Sequence, residues 1–100
     1  MIRSKKITSA ARGQQCQIQI AGVCNNNPDT VVFCHFPDES HGIAQKASDA
    51  SGAFGCSACH DAVDGRVKSD EWRDNKLFYM RRAQTRTIHK LFELGVLKIA

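Results

Sequence analysis

The hydrophobic pattern in the first half of this chain has the period of β-strands. Residues 16–20, Cys-Gln-Ile-Gln-Ile, alternate between apolar and polar side chains, which predicts a strand with its cysteine and both isoleucines on one face. Residues 30–36, Thr-Val-Val-Phe-Cys-His-Phe, are rich in β-branched and aromatic side chains and predict a central strand that ends at Pro37. A brief further strand is predicted at residues 53–55, after a long loop over residues 37–53.

The second half of the chain has the period of α-helices. A short helix is predicted over residues 57–64, because Gly65 is well placed to end it. A long C-terminal helix is predicted over residues 69–95, with Ser69 as its N-cap and a glycine at its end. Apolar side chains recur along this helix with a period close to 3.6 residues, which predicts one face packed on the core. The predicted apolar face consists of Trp72, Leu77, Tyr79, Met80, Ala83, Ile88, Leu91 and Leu94.

The charges on the predicted long helix admit two interpretations. Much of the rest of this helix is basic, with Arg73, Lys76, Arg81, Arg82, Arg86 and Lys90. Such residues suit either a solvated helix face or a surface that contacts phosphate groups. The nearby acidic residues Asp74 and Glu93 favour the solvated interpretation.

The N-terminal segment, residues 1–15, is a second basic stretch. Its cations are Arg3, Lys5, Lys6 and Arg12. This composition suits a basic arm that is either a solvated tail or a short helix beginning near Ser9. The segment lacks the apolar stretch and the cleavage site of a secretory signal, so we expect a cytoplasmic protein.

Length and composition set the class of protein. The chain has 100 residues and is expected to form one domain over 1–100, with a core small enough for a structural metal to aid stability. No apolar run approaches the roughly 18 to 20 residues that span a bilayer, so no membrane interaction is predicted. The 14 Lys and Arg residues against 10 Asp and Glu give a net charge of +4, which mildly indicates a polyanionic partner such as DNA.

The five cysteines indicate a metal site. Inside a cell, thiols and metal ligands are more common than disulfides. Cys56 and Cys59 have the two-residue spacing that places two thiolates on one zinc ion, and Cys16 and Cys24 form the remaining pair. These four residues predict a tetrahedral structural Zn²⁺ site. The fifth cysteine, Cys34, is not part of this predicted site.

A second metal site is predicted immediately after the cysteine pair. His60 and Asp64 lie four residues apart, so on a helix they project from one face as two ligands for a catalytic metal. His35 lies near the end of the predicted central strand. From position alone, this histidine is either a satisfied structural residue or a catalytic one.

The order of these features resembles the ββα-metal arrangement of HNH-type nucleases. The chain is more closely similar to the YbcO family of prophage-encoded candidate nucleases. The matching segments are AARGQQCQIQIAGVCNNNPDT, VVFCHF, KASD, CSACHDAVDGR and the closing LFELGVLKIA. The resemblance implies an α+β fold, with a small zinc-stabilised ββα-metal (HNH-like) finger over residues 16–66 and a long C-terminal helix.

The resemblance also implies roles for individual residues. His35 would be the general base, and His60 with Asp64 would hold a second divalent metal, Mg²⁺ or a transition metal. Asp49 lies where the superfamily often has the middle Asn of its name, a residue that braces the loop carrying the base. Cys34 directly precedes the base, where HNH sites often have a metal-binding Asp or His; it is either a soft ligand that would favour a transition metal or a buried apolar residue.

Two functions of different classes remain for a chain with these sequence features. The first is a metal-dependent DNA endonuclease of phage or prophage origin that acts on branched or recombination intermediates. The second is a zinc-stabilised nucleic-acid-binding module without catalysis, and a purely structural zinc protein is the least specific interpretation. The residues expected to contact phosphate groups are Arg12, Lys46 and Arg66, each of which also suits a plain surface charge.

Overall fold

Two antiparallel strands and the helix that follows them form the centre of the fold. The computed structural model describes residues 2–37 and 48–99. Strand β1 spans Val32–His35, strand β2 spans Gly52–Gly55, and helix α2 spans Ser57–Val63. The strands pair with His35 opposite Gly52. The last residue of β1 therefore lies beside the first residue of β2, which leads directly into α2.

Four further helical segments surround this centre. They are α1 (Lys5–Ser9), a 3-10 turn (Pro28–Thr30), α3 (Asp70–Asp74) and α4 (Lys76–Glu93). Ser69 is the N-cap of α3, as predicted, because its side chain accepts a hydrogen bond from the backbone N–H of Trp72 at 3.1 Å. No helix of residues 2–37 and 48–99 is long and apolar enough to cross a membrane.

The core lies between α4, the sheet and the N-terminal third of the chain. The face of α4 that packs inward consists of Tyr79, Ala83, Thr87 and Leu91. The Thr87 hydroxyl, which is fully buried, accepts a hydrogen bond from the backbone N–H of Phe54 at 3.1 Å. This contact fixes α4 against β2 and satisfies a buried donor that the two-stranded sheet leaves unpaired.

The strand predicted at residues 16–20 is wrong, although the three side chains expected on one face are all buried. Cys16, Ile18 and Ile20 are buried, but these residues form no strand in the structure. Gln19 has a left-handed φ of 52°, which no strand residue adopts. Only Gln17 donates from this segment to β2, at 2.8 Å from the carbonyl oxygen of Phe54. Alternating burial therefore arises here without a hydrogen-bonded ladder, and β1 is one of a pair rather than a central strand.

The single long helix predicted over residues 69–95 is two helices. Asn75, with φ −132° and ψ 26°, interrupts it between α3 and α4. Its side-chain amide donates to the carbonyl oxygen of Glu71 at 3.0 Å, which stabilises the break. Three residues of the predicted apolar face, Leu77, Ile88 and Leu94, are exposed rather than buried.

The N-terminal segment is neither a solvated tail nor a helix beginning at Ser9. Helix α1 begins at Lys5, and Ile7 and Ala11 are buried in the core. The backbone carbonyl of Ile2 accepts a hydrogen bond from the N–H of Asp49 at 2.8 Å. The basic segment is therefore packed against the centre of the fold, next to a predicted catalytic residue.

Candidate functional site

The four predicted zinc ligands come together in the structure. The sulfur atoms of Cys16, Cys24, Cys56 and Cys59 all lie within 4.8 Å of one another. The sulfurs of Cys24 and Cys56 are 3.8 Å apart, which is about the edge of a tetrahedron with Zn–S bonds of ~2.3 Å. These residues could hold one metal ion, and a set of four sulfur donors is the one that zinc prefers in structural sites.

Local geometry explains how the two pairs meet. Gly22 has φ 75°, a conformation that glycine adopts without strain, and the backbone N–H of Cys24 bonds to the carbonyl of Ile20 at 3.0 Å. This tight turn directs Cys24 toward the start of α2. There, Cys56 is the N-cap, and its sulfur accepts hydrogen bonds from the N–H groups of Cys59 at 3.4 Å and Asn25 at 3.5 Å.

The thiols of this cluster differ in how readily they lose a proton. A hydrogen bond from the Cys59 thiol lowers the pKa of Cys16 to about 5. The same bond, with burial, raises the pKa of Cys59, because Cys59 keeps the shared proton. Burial raises the pKa of Cys24 to about 11. A divalent cation at this position would compensate the charge of further thiolates, so metal binding would release protons.

Cys34 is separate from the four sulfurs and lies on the opposite face of β1 from His35. It is fully buried opposite Ala53. Burial raises the pKa of its thiol to about 12, so Cys34 is a protonated, apolar side chain in this environment. This arrangement favours the buried-residue interpretation of Cys34 over the soft-ligand one.

His35 and Asp49 form the first predicted catalytic pair. The imidazole Nε2 lies 2.7 Å from Oδ1 of Asp49; the His35 side chain is 40% exposed and that of Asp49 is 9% exposed. The hydrogen bond to His35 is the main reason that the pKa of Asp49 is lowered. The other carboxylate oxygen accepts a hydrogen bond from the N–H of Ser4 at 2.6 Å, and Arg3 lies 3.9 Å from Oδ1. An ionised, buried carboxylate thus holds a solvent-accessible imidazole in one orientation.

His60 and Asp64 form the second predicted pair, on α2 and at its end. Nε2 of His60 lies 3.1 Å from Oδ2 of Asp64. Arg66 contacts the same Asp64 oxygen at 3.1 Å and Oδ1 of Asp61 at 2.9 Å. In the described part of the chain, no hydrogen bond or ion pair joins His35 to this cluster, and only the four cysteines form a group of three or more potential ligands.

The residues expected to contact phosphate groups lie in different structural environments. Arg12 is exposed in the turn after α1. Arg66 is also exposed but is held by two carboxylates. Lys46 lies outside the described residues.

Several supporting residues were not predicted from the sequence. Ser4 and Ser48 fasten the N-terminal segment beside Asp49, since the N–H of Ile2 donates to Oγ of Ser48 at 3.1 Å. Arg82 of α4 donates to the carbonyl oxygens of Ile18 at 3.1 Å and Gln19 at 3.3 Å, and so supports the loop between two of the predicted zinc ligands. No spacing or motif in the sequence signals these long-range contacts.

Comparison with known proteins gives a family match for the chain. A family model described as “Putative nuclease YbcO” matches residues 5–96. Two curated relatives with that name, one from Escherichia coli strain K12 and one from Enterobacteria phage 82, are 44% identical to this chain over 62 residues. The match covers 61% of this chain and 65% of each relative, which is just under two thirds of their length.

The fold is also similar to a solved structure. This structure is described as that of “a putative bacteriophage protein” from Escherichia coli K-12. The two chains superpose with a TM-score of 0.69 and 35% sequence identity. The superposition covers 88% of this chain and 98% of the other, so the relationship extends across the α+β fold described above.

Proposed function

Because this chain belongs to the family described as “Putative nuclease YbcO”, we propose that it is a metal-dependent endonuclease that hydrolyses phosphodiester bonds in DNA. The observation that carries the proposal is the pair of His35 and Asp49. A half-exposed imidazole at the end of a strand, oriented by a buried carboxylate, is the arrangement that general-base catalysis requires.

The order of the elements supports the HNH type of nuclease. An antiparallel pair, β1 and β2, is followed directly by α2, as in a ββα-metal finger. The base lies on the first strand and the candidate ligands His60 and Asp64 lie on the helix and at its end. The four cysteines would hold a structural Zn²⁺ that fixes the start of α2 to the loop at residues 16–24.

Each residue has a distinct role in the proposed reaction. His35 takes the proton of the attacking water, while Asp49 orients the ring and stabilises the imidazolium that forms. Mg²⁺ or a transition metal, held by His60 and Asp64, would stabilise the charge that develops on the phosphate. Arg12 and Arg66 are exposed enough to contact the phosphate backbone of DNA.

We propose an enzyme of phage or prophage type whose substrate is DNA, including branched or recombination intermediates, in the cytoplasm of the bacterial host. The alternative is a zinc-stabilised module that binds nucleic acid without cutting it. One observation favours this alternative: His60 and Asp64 supply only two ligands, and Arg66 already occupies an oxygen of Asp64. The two functions differ in the role of His35. A nuclease requires His35 for cleavage, whereas a binding module would require it only for stability.

A nicking assay distinguishes them. Supercoiled, linear and branched DNA are incubated with the protein and Mg²⁺, Mn²⁺, Ni²⁺ or Zn²⁺. We expect cleavage by the wild type, and a rate lower by about 10² to 10⁴ for His35→Ala. His89→Ala, which removes an exposed histidine of α4, is the matched control and should cleave like the wild type. Absence of cleavage with every metal, or equal rates for His35→Ala and the wild type, would favour the binding module.

A further inference from the structure

The excess positive charge of the chain resides on α4. This helix contains five Lys and Arg residues and one Glu, whereas the rest of the sequence contains nine basic and nine acidic residues. The whole net charge of +4 is thus carried by one helix of 18 residues. A polyanion would be attracted to this helix more than to the remainder of the surface.

In the described part of the chain, the cations at the centre of α4 have no acidic partner. Arg82 and Arg86 donate to uncharged oxygens of residues 18 and 19. Across residues 2–37 and 48–99, no carboxylate lies within ion-pair distance of Arg81, Arg82 or Arg86. By contrast, Arg73 of α3 is paired with both Asp70 and Asp74.

Large apolar side chains accompany these cations on the solvent side of the helix. Leu77 is 67% exposed and Phe78 is 59% exposed. The Phe78 ring is held in place, because it packs edge-on against Tyr79 with centroids 5.4 Å apart, and the Arg82 guanidinium lies 4.9 Å from its centroid. An aromatic ring that is both fixed and exposed can stack on another flat ring at a low entropic cost.

The shape of this surface extends it to the sequence neighbours of His35 and Asp49, although neither of these two residues lines it. Two adjoining clefts share Leu77, Arg81 and Thr85. One, of about 660 Å³, also includes Phe78, Arg82 and Arg86. The other, of about 540 Å³, extends from α4 to Phe36 and Pro37, directly after His35, and to residues on both sides of Asp49.

We propose that the outward face of α4 binds an unpaired segment of a DNA strand and guides it toward His35. This face consists of Leu77, Phe78, Arg81, Arg82, Thr85 and Arg86. Bases stack on Phe78 and phosphates lie against Arg81 and Arg86. The inference rests on the proposed nucleic-acid substrate, but it does not depend on the catalytic roles of His35 and His60.

Two considerations favour an unpaired strand over other occupants. Bases in a duplex stack on one another and present only their edges, so an exposed Phe78 gains little from duplex DNA. A second copy of the chain would bring Arg81 and Arg86 against their counterparts, and like charges at close range oppose such a contact. An unpaired strand satisfies both the cations and the exposed ring.

The test is a binding titration with the full chain and its zinc, without added divalent metal. The probes are a labelled oligothymidylate of about 20 nucleotides, longer than the site of a typical single-strand binding domain, and a duplex of equal length. Fluorescence anisotropy should show tighter binding to the single strand. Phe78→Leu, which keeps an apolar side chain but removes the ring, should weaken single-strand binding by about five-fold or more.

Two charge variants form a matched pair. Arg81→Ala should weaken binding and lower the slope of log affinity against log salt by about 0.7, the value for one phosphate contact on a single strand. Arg73→Ala removes the same charge from an ion-paired position and should change binding little. Zinc content and far-UV circular dichroism equal to the wild type show that each variant is folded.

Several results would overturn the inference. These are equal affinity for single strand and duplex, unchanged binding by folded Phe78→Leu, or equal losses in Arg73→Ala and Arg81→Ala. His35→Ala separates this inference from the nuclease assignment, because it should bind the oligothymidylate like the wild type. If no metal supports cleavage and Arg81→Ala still loses affinity, the nuclease assignment fails and the binding surface stands.

Discussion

The imidazole of His35 and the carboxylate of Asp49 are joined at 2.7 Å, and the same carboxylate also caps the N-terminal segment through the N–H of Ser4 at 2.6 Å. Asp49 therefore has two functions in the fold. It orients the candidate base at the end of β1, and it fastens the start of α1, whose N-cap is Ser4. The basic N-terminal segment is thus part of the candidate active site.

The first prediction concerns the stability that Asp49 contributes. Asp49→Ala leaves the partly buried Ser4 N–H without its acceptor and releases the His35 ring, so the free energy of unfolding should fall by about 1 to 3 kcal/mol. Urea denaturation of zinc-loaded protein measures this change. Asp29→Ala, at an exposed carboxylate, is the control and should shift the value by less than about 0.5 kcal/mol. Equal stability of Asp49→Ala and Asp29→Ala would contradict the proposed contribution of Asp49 to the fold.

The second prediction concerns the glycines of β2. A Cβ at Gly52 would collide with the backbone oxygen of Cys34 and lie 2.7 Å from the Phe33 ring, whereas a Cβ at Gly55 would lie 2.6 Å from Cδ1 of Ile18. Each alanine substitution should destabilise the protein by about 1 to 3 kcal/mol. The Gly52→Ala cost should be larger, because the backbone cannot move aside as a side chain can.

A double-mutant cycle tests the mechanism at Gly55. Ile18→Val removes the Cδ1 atom that a new Cβ would meet. On its own, Ile18→Val should cost about 0.5 to 1.5 kcal/mol. Combined with Gly55→Ala it should cost less than the sum of the two single changes. If the changes in the free energy of unfolding, measured by urea denaturation, were strictly additive, contact with Ile18 would not be the reason that Gly55→Ala is destabilising.

Contacts that depend on the spacing of residues in the sequence were predicted correctly. The four cysteines were identified from two pairs, because metal ligands must be brought to one point and short spacings achieve this within a turn. The proximity of His60 and Asp64 follows from one turn of helix, and their atoms are 3.1 Å apart. The caps of the helices, such as Ser69, have the same local origin.

Residues whose roles depend on distant contacts could not be predicted. Thr87 lies on the buried face of α4, where the hydrophobic pattern would predict an apolar residue. Its hydroxyl accepts a hydrogen bond from the backbone N–H of Phe54 on β2. Gln19 is left-handed and Asn75 interrupts a helix, although the hydrophobic pattern runs through both without a break. Arg82 looks like a surface charge in the sequence, yet it holds the backbone of Ile18, 64 residues earlier. Periodicity reports which side chains are buried, but it does not report which partner buries them.

The third prediction concerns the cysteine site. Metal analysis of the purified protein should find about one tightly bound zinc per chain. The Cys59→Ser variant should lose both the zinc and the folded structure. Cys34→Ala should keep the metal, because Cys34 lies outside the four-sulfur group. This pair is matched, since each variant removes one buried thiol. A protein that keeps its fold after complete chelation, or a Cys34→Ala protein without zinc, would contradict the assignment.

The fourth prediction concerns the competition for Asp64. Arg66 and His60 both contact Oδ2 of Asp64, at 3.1 Å each, and a second metal bound by His60 and Asp64 would need that carboxylate. His60→Ala should therefore weaken Mn²⁺ binding to the zinc-loaded protein by at least about ten-fold. Arg66→Ala should strengthen it, but by no more than about five-fold, because an exposed ion pair contributes at most about 1 kcal/mol.

The opposite signs of these two changes make the test specific. Isothermal titration of Mn²⁺ into each zinc-loaded variant without DNA measures metal affinity alone, so any phosphate contact by Arg66 cannot contribute. In a cleavage assay, His60→Ala should regain activity as the metal concentration rises, whereas His35→Ala should not, because His35 moves a proton and His60 holds a cation. If His60→Ala and Arg66→Ala both leave Mn²⁺ affinity unchanged, the His60 and Asp64 pair is a structural contact at the end of α2 and binds no second metal.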